Sequence, residues 1–103
     1  MKTVQHNGST YDVNEEGYLV DFPEELDENW IDYARACEGI GELNSDQKEV
    51  VNKLWGYYKE NRIIPKLGVI SRITGYSLKR IFEMFPSGPS GAGRMVGFQR
   101  KFC

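Results

Sequence analysis

The chain has 103 residues, 40% hydrophobic and 27% charged, with a formal net charge of −2. That is room for one core and the composition of an ordinary globular domain. No apolar run approaches the ~20 residues needed to cross a bilayer, and MKTVQHNGSTYDV lacks the apolar stretch of an export signal, so a cytoplasmic protein without membrane partners is expected.

The charge is divided unevenly. Residues 1–61 carry 5 Lys and Arg against 14 Asp and Glu, while residues 62–103 carry 8 against one, Glu83. Such asymmetry points to a partner or small anion at the C-terminal end, or to two halves that neutralise each other within one fold. Two cysteines, Cys37 and Cys103, do not make a disulfide scaffold. With His6 the sole histidine, no metal site is expected.

In chain order, TVQHNGSTYDV places Asn7-Gly8 between two alternating runs, a hairpin signal, and Gly17 precedes a third strand over Tyr18 to Val20. A meander this short needs helices to cover it. ENWIDYARACEGI sets Trp30, Ala34 and Cys37 on one helix face beside Tyr33, with Gly39 as the stop; Cys37 is therefore read as a small buried packing residue. Asn44 or Ser45 caps DQKEVVNKLWGYYKENR, whose apolar stripe is Val51, Leu54, Trp55 and Tyr58. Pro65 opens a helix through Leu67, Ile70 and Ile73 that Thr74-Gly75 ends. Ser77 then caps SLKRIFEMF, with Tyr76 and Ile81 placed as a hydrophobic staple. The whole reads as an α+β domain over 1–103, with a β-meander at 1–20, a helical array at 27–85 and an arm at 86–103.

In FPSGPSGAGRMVGFQRKFC, breakers recur every few residues, so Pro86, Gly88, Pro89, Gly91 and Gly93 are read as the hinge of a mobile arm. Apolar Met95, Val96, Phe98 and Phe102 would let the arm dock. A thiol at its tip, Cys103, has neighbours Arg94, Arg100 and Lys101 that favour the thiolate, against an α-carboxylate that disfavours it. Thiolate is the form that attacks disulfides and accepts sulfane sulfur. Position alone also leaves open an incidental cysteine on a tail. His6 has no carboxylate or serine near it in sequence and is not read as a base. GVISRITGYSLKRIF resembles a helix-turn-helix, with Lys79 and Arg80 opening the second helix; a DNA-binding regulator, with weak DNA binding given the acidic total, is the alternative this adds.

Nearly the whole chain resembles the DsrC/TusE family, which includes the gamma subunit of dissimilatory sulfite reductase and the sulfur-relay carrier of tRNA 2-thiolation. The resemblance rests on YDVNEEGYL, CEGI at 37–40, LWGYYKENRIIPKLGVISRITGYSLKRIFEMFPSGP and the final cysteine, in that order and spacing. It implies a small β-meander packed on helices. It also implies a sulfur carrier that holds a persulfide on Cys103 at the end of a mobile arm, sulfurtransferase-like but no self-sufficient enzyme and without a cofactor. Arg94, Arg100, Lys101, Phe98 and Phe102 would dock the arm onto partners: a sulfur donor, and an acceptor such as a tRNA thiouridylase or sulfite reductase. Met95 and Val96 would alternatively hold the arm retracted. The sequence departs from the sulfite-reductase branch where that branch has a second arm cysteine in a "GACK"-like motif: here the motif is GAGR and Gly93 stands at that place. A disulfide or sulfur bridge between two arm thiols therefore cannot form. The single-thiol arm looks like the TusE type, the FPSGP region like the sulfite-reductase type.

Overall fold

The computed structural model describes residues 2–21 and 23–98. It is an α+β arrangement in which a two-stranded hairpin precedes five helices. Strand β1 (Lys2–His6) pairs antiparallel with β2 (Ser9–Val13), Lys2 opposite Val13 and His6 opposite Ser9. Between them Asn7 and Gly8 both take positive φ, 48° and 84°. That is the backbone of a two-residue type I′ turn, whose twist matches the strands it joins.

The expected third strand shrinks to a single bridge, Val13 to Leu19. Asn14 is the reason. Its side chain accepts from the amides of Glu16 and Tyr18, at 3.0 and 3.1 Å, and its own amide and carbonyl close the turn onto Tyr18 and Gly17. Among the described residues, Val20 N–H alone, donating to the Asp12 carbonyl at 3.1 Å, continues the pairing. Pro23, which has no N–H to give a ladder, follows two residues after Asp21.

The helices are capped by local chemistry. Helix α1 (Glu28–Glu38) begins at Asp27, whose carboxylate accepts from the amides of Asn29 and Trp30, and ends at Gly39 in the left-handed region. Helix α2 (Ser45–Asn61) opens with a reciprocal capping box between Asn44 and Gln47. Gln47 also donates to the Met84 carbonyl, 2.6 Å away, which ties the start of α2 to the end of a helix 37 residues on. Helix α3 (Leu67–Thr74) starts one residue beyond Lys66, so Pro65 precedes the helix instead of opening it; Gly75 ends it. Ser77 caps α4 (Leu78–Met84) through the Arg80 amide.

A fifth helix, α5 (Pro89–Val96), lies where the sequence predicts an open hinge. It packs across α1 and α2. The main core takes Ile31 and Ala34 from α1, Val50, Leu54 and Tyr58 from α2, Ile70 and Ile81 from α3 and α4, and Ala92, Met95 and Val96 from α5. A smaller cluster of Val13, Leu19 and Trp30 sits under the hairpin, with Val4, Tyr11 and Tyr33 around it.

Candidate functional site

Helix α5 is the last described element before Cys103, and its construction corrects the hinge reading. Pro89 occupies the first helical position, where a missing N–H is no loss and the ring presets φ. Gly91, Ala92, Gly93, Met95 and Val96 are all buried. The glycines serve approach, not freedom: a Cβ on Gly93 would lie 2.5 Å from Cδ2 of Phe98, and one on Gly91 would lie 2.8 Å from Oε1 of Glu38. Pro86, Gly88, Pro89, Gly91 and Gly93 therefore belong to a packed helix and its lead-in, not to a swinging linker. Met95 and Val96 do bind this segment to the domain, as core residues of that helix.

Phe98 is corrected in the same way. It is wholly buried, with its ring edge-on to Tyr58 at 4.7 Å between centroids, so it anchors the chain to its own core and is not available to a partner. Arg94 is likewise engaged inside the fold. Its guanidinium lies 4.6 Å over the Tyr18 ring, donates to the Glu16 carbonyl at 3.2 Å, and approaches the Glu38 carboxylate at 3.4 Å. The Glu38 side chain is only 5% exposed, so this cation offsets a charge that would otherwise be costly to bury. The Trp30 indole N–H donates to the carbonyl of Arg94 at 2.6 Å. Arg94 thus staples the Gly17 turn, α1 and α5 together.

Cys103, Arg100, Lys101 and Phe102 lie outside the described residues. The structure establishes instead the platform from which they start. The chain is held firmly through Phe98, and Cys103 is five residues further on. Fully extended they span at most roughly 17 Å, well short of the reach expected from a hinge at Pro86.

Cys37 is exposed, contrary to the packing reading. The face is the predicted one, since Trp30 and Ala34 on it are buried, but Cys37 sits in the last turn of α1, where the neighbouring elements no longer cover it. The Tyr33 phenol is its neighbour, and a hydrogen bond to Cys37 followed by burial pushes the phenol pKa up.

His6 does have a carboxylate partner, 26 residues away: Nε2 lies 2.7 Å from Oδ2 of Asp32, which also pairs with Arg35. Hydrogen bonding from His6 lowers the Asp32 pKa, with the Arg35 charge adding to it. The contact is part-buried, a fastening between hairpin and α1. In the helix-turn-helix-like pair, Arg80 turns toward Asp46 of α2 at 3.5 Å and Glu83 at 3.9 Å, and Tyr76 donates to Glu49 at 2.8 Å. Among the described residues no group of three metal-ligating side chains occurs, and no helix is long and apolar enough to cross a membrane.

The chain as a whole has relatives among known proteins. A family model described as "DsrC like protein" matches residues 5–103. The chain belongs to the DsrC-like family. This DsrC-like chain is 37% identical, over 97% of its length and 95% of the relative's, to the gamma subunit of dissimilatory-type sulfite reductase from Nitratidesulfovibrio vulgaris. It superposes on a chain of the crystal structure of dissimilatory sulfite reductase I (DsrI) with a TM-score of 0.86 at 38% identity, covering 99% of both chains. The solution structure of Allochromatium vinosum DsrC gives 0.80 at 26% identity, over 98% of this chain and 96% of that one.

Proposed function

We propose that this DsrC-like protein is a carrier of sulfane sulfur that uses Cys103 as its loading thiol and works with a sulfite reductase of the dissimilatory type. The observation that carries the reading is the match, over almost the full length of both chains, to a sulfite reductase gamma subunit. The electrons balance without an added oxidant. The Cys103 thiolate attacks the outer sulfur of a donor persulfide; a Cys103 persulfide forms and the donor thiolate leaves. An acceptor thiolate then takes the outer sulfur and restores the Cys103 thiolate. The platform of α5 and Phe98 gives the five-residue tail a defined point of departure.

One observation favours a second reading, relay of sulfur toward tRNA thiolation. Gly93 carries no thiol and is packed against Phe98, so the tail works with a single cysteine, which suits one-sulfur hand-over between proteins.

Incubating the protein with a sulfurtransferase and a sulfur source, followed by mass spectrometry, tests the carrier role. The expected result is a gain of one sulfur atom on the peptide containing Cys103, abolished in Cys103→Ser and retained in Cys37→Ser. Loading that survives Cys103→Ser would overturn it. Co-purification separates the partners: retention of sulfite reductase supports the first reading, retention of a tRNA thiouridylase in its place the second.

A further inference from the structure

Three aromatic rings stand in line where the hairpin meets α1. Trp30 is the middle one, 1% exposed, with its ring centroid 5.1 Å from that of Tyr11 on β2 and 5.2 Å from that of Tyr33, one turn along α1. Both distances are those of rings in direct contact. Tyr11 and Tyr33 are half-buried, so the line runs from one partly open phenol, through a buried indole, to another.

The three rings differ in what can take a proton from them. The Trp30 indole N–H is held on the Arg94 carbonyl at 2.6 Å, a neutral amide oxygen that accepts a hydrogen bond but not the proton itself. The Tyr33 phenol meets the Cys37 thiol, and among the described residues no carboxylate accepts from it. Of the three, Tyr11 has a base. Its hydroxyl donates to Oδ2 of Asp27 at 2.9 Å, within the reach that proton transfer requires. That pair is fixed from both sides. Oδ1 of Asp27 accepts from the amides of Asn29 and Trp30 as the cap of α1, at 2.9 and 3.1 Å, which leaves Oδ2 to the phenol. The Asn29 side-chain amide donates to the Tyr11 oxygen at 3.2 Å, which turns the hydroxyl proton toward Asp27.

We propose that Tyr33, Trp30 and Tyr11 form a one-electron path ending on the Tyr11–Asp27 pair, and that it gives the protein a second activity, the scavenging of small, strongly oxidising radicals. The dissolved oxidant takes one electron from the path at Tyr33, and Trp30 refills it. The Trp30 radical cation keeps its N–H proton, for want of a base. It takes an electron from Tyr11 instead, as the Tyr11 hydroxyl proton passes to Oδ2 of Asp27. The products are the reduced oxidant, intact Tyr33 and Trp30, a neutral Tyr11 phenoxyl radical and a protonated Asp27. A dissolved one-electron reductant, such as a thiol, then returns a hydrogen atom to the phenoxyl, and Asp27 loses its proton to water. This activity does not involve Cys103 and does not rest on the carrier reading.

The test uses the full chain with Trp55→Phe, which leaves Trp30 as the sole tryptophan. Trp30 is photoionised by a laser pulse and followed by transient absorption, with rapid-freeze electron paramagnetic resonance to identify the radical. The indole signal should decay into a tyrosyl signal. Tyr11→Phe should leave the indole radical long-lived and remove most of the tyrosyl signal. Asp27→Asn, which keeps a capping side chain on α1, should slow the transfer about a hundredfold, as loss of a positioned base does. With carbonate radical in solution as the oxidant, Tyr33→Phe should lower the tyrosyl yield severalfold, while transfer after photoionisation stays unchanged. Amide spectra verify each fold, and the Tyr11 and Asp27 variants are read separately, so either decides if the other fails to fold. A tyrosyl signal that forms as fast in Tyr11→Phe, or a rate indifferent to Asp27→Asn, overturns the proposal. So does a signal lost in Tyr76→Phe and kept in Tyr11→Phe, which places the radical on the Tyr76–Glu49 pair.

Discussion

Helices α2 and α5 reach the same backbone conformation by opposite routes. The former is 17 residues of SDQKEVVNKLWGYYKEN, rich in good helix formers, with a capping box at its start and much of its surface in water. The latter is eight residues, PSGAGRMV, with no side-chain cap and two glycines that each cost about 1 kcal/mol relative to alanine in a helix interior. Isolated helices of that length do not hold in water. Tertiary burial forms α5: six of its eight residues are buried, and Trp30 donates to its backbone. The difference teaches that a run of Gly and Pro is not by itself a hinge. When Met, Val and Phe are interleaved with the breakers, the glycines serve as close-contact surface.

The sharpest way to break the contrast is Phe98→Ala. Removing a fully buried ring should cost about 3–5 kcal/mol and should unfasten α5 while α2 keeps its helix. Chemical denaturation reads the first effect, and amide exchange in α5 against α2 the second. Gly93→Cys, which puts a thiol on α5, should cost about 1–3 kcal/mol through the collision with Phe98. A Gly93→Cys protein as stable as wild type would show that the ring yields at little cost. Asn44→Ala should cost about 1 kcal/mol and act on α2 alone, because its cap is local.

The smallest effect expected is one of pH. The Asp32 carboxyl, held down by His6 and then Arg35, titrates below its unfolded value. Its contribution is therefore complete above about pH 4 and is lost as pH falls through the folded pKa. Wild type should lead Asp32→Asn slightly in melting temperature at pH 6, and the lead should vanish toward pH 2. The carboxylate is partly open to solvent, so the difference is expected to be modest.

The legible features were local. Asn7-Gly8 specifies its turn, Asn44 and Ser77 announce helix starts within three residues, and the stripe of Leu54 and Tyr58 reads directly as a buried face. What escaped involves residues far apart in the chain. The His6–Asp32 contact spans 26 residues, Trp30 and Arg94 are 64 apart, and Glu38 meets Arg94 only because α5 folds back over α1. Cys37 lies on the face its periodicity predicts, yet its exposure depends on where covering helices stop.

The amino-acid sequence by itself determined the hairpin, four of the five helices, the opposed charges of the two halves and the presence of one thiol beyond the last core aromatic residue. These follow from backbone preferences and side chains acting within a turn or two of themselves. The tertiary structure alone decided that the glycine-rich segment is a buried helix and that Arg94 and Phe98 serve the fold. Burial and charge proximity are properties of surfaces brought together, and no short window of sequence contains both surfaces.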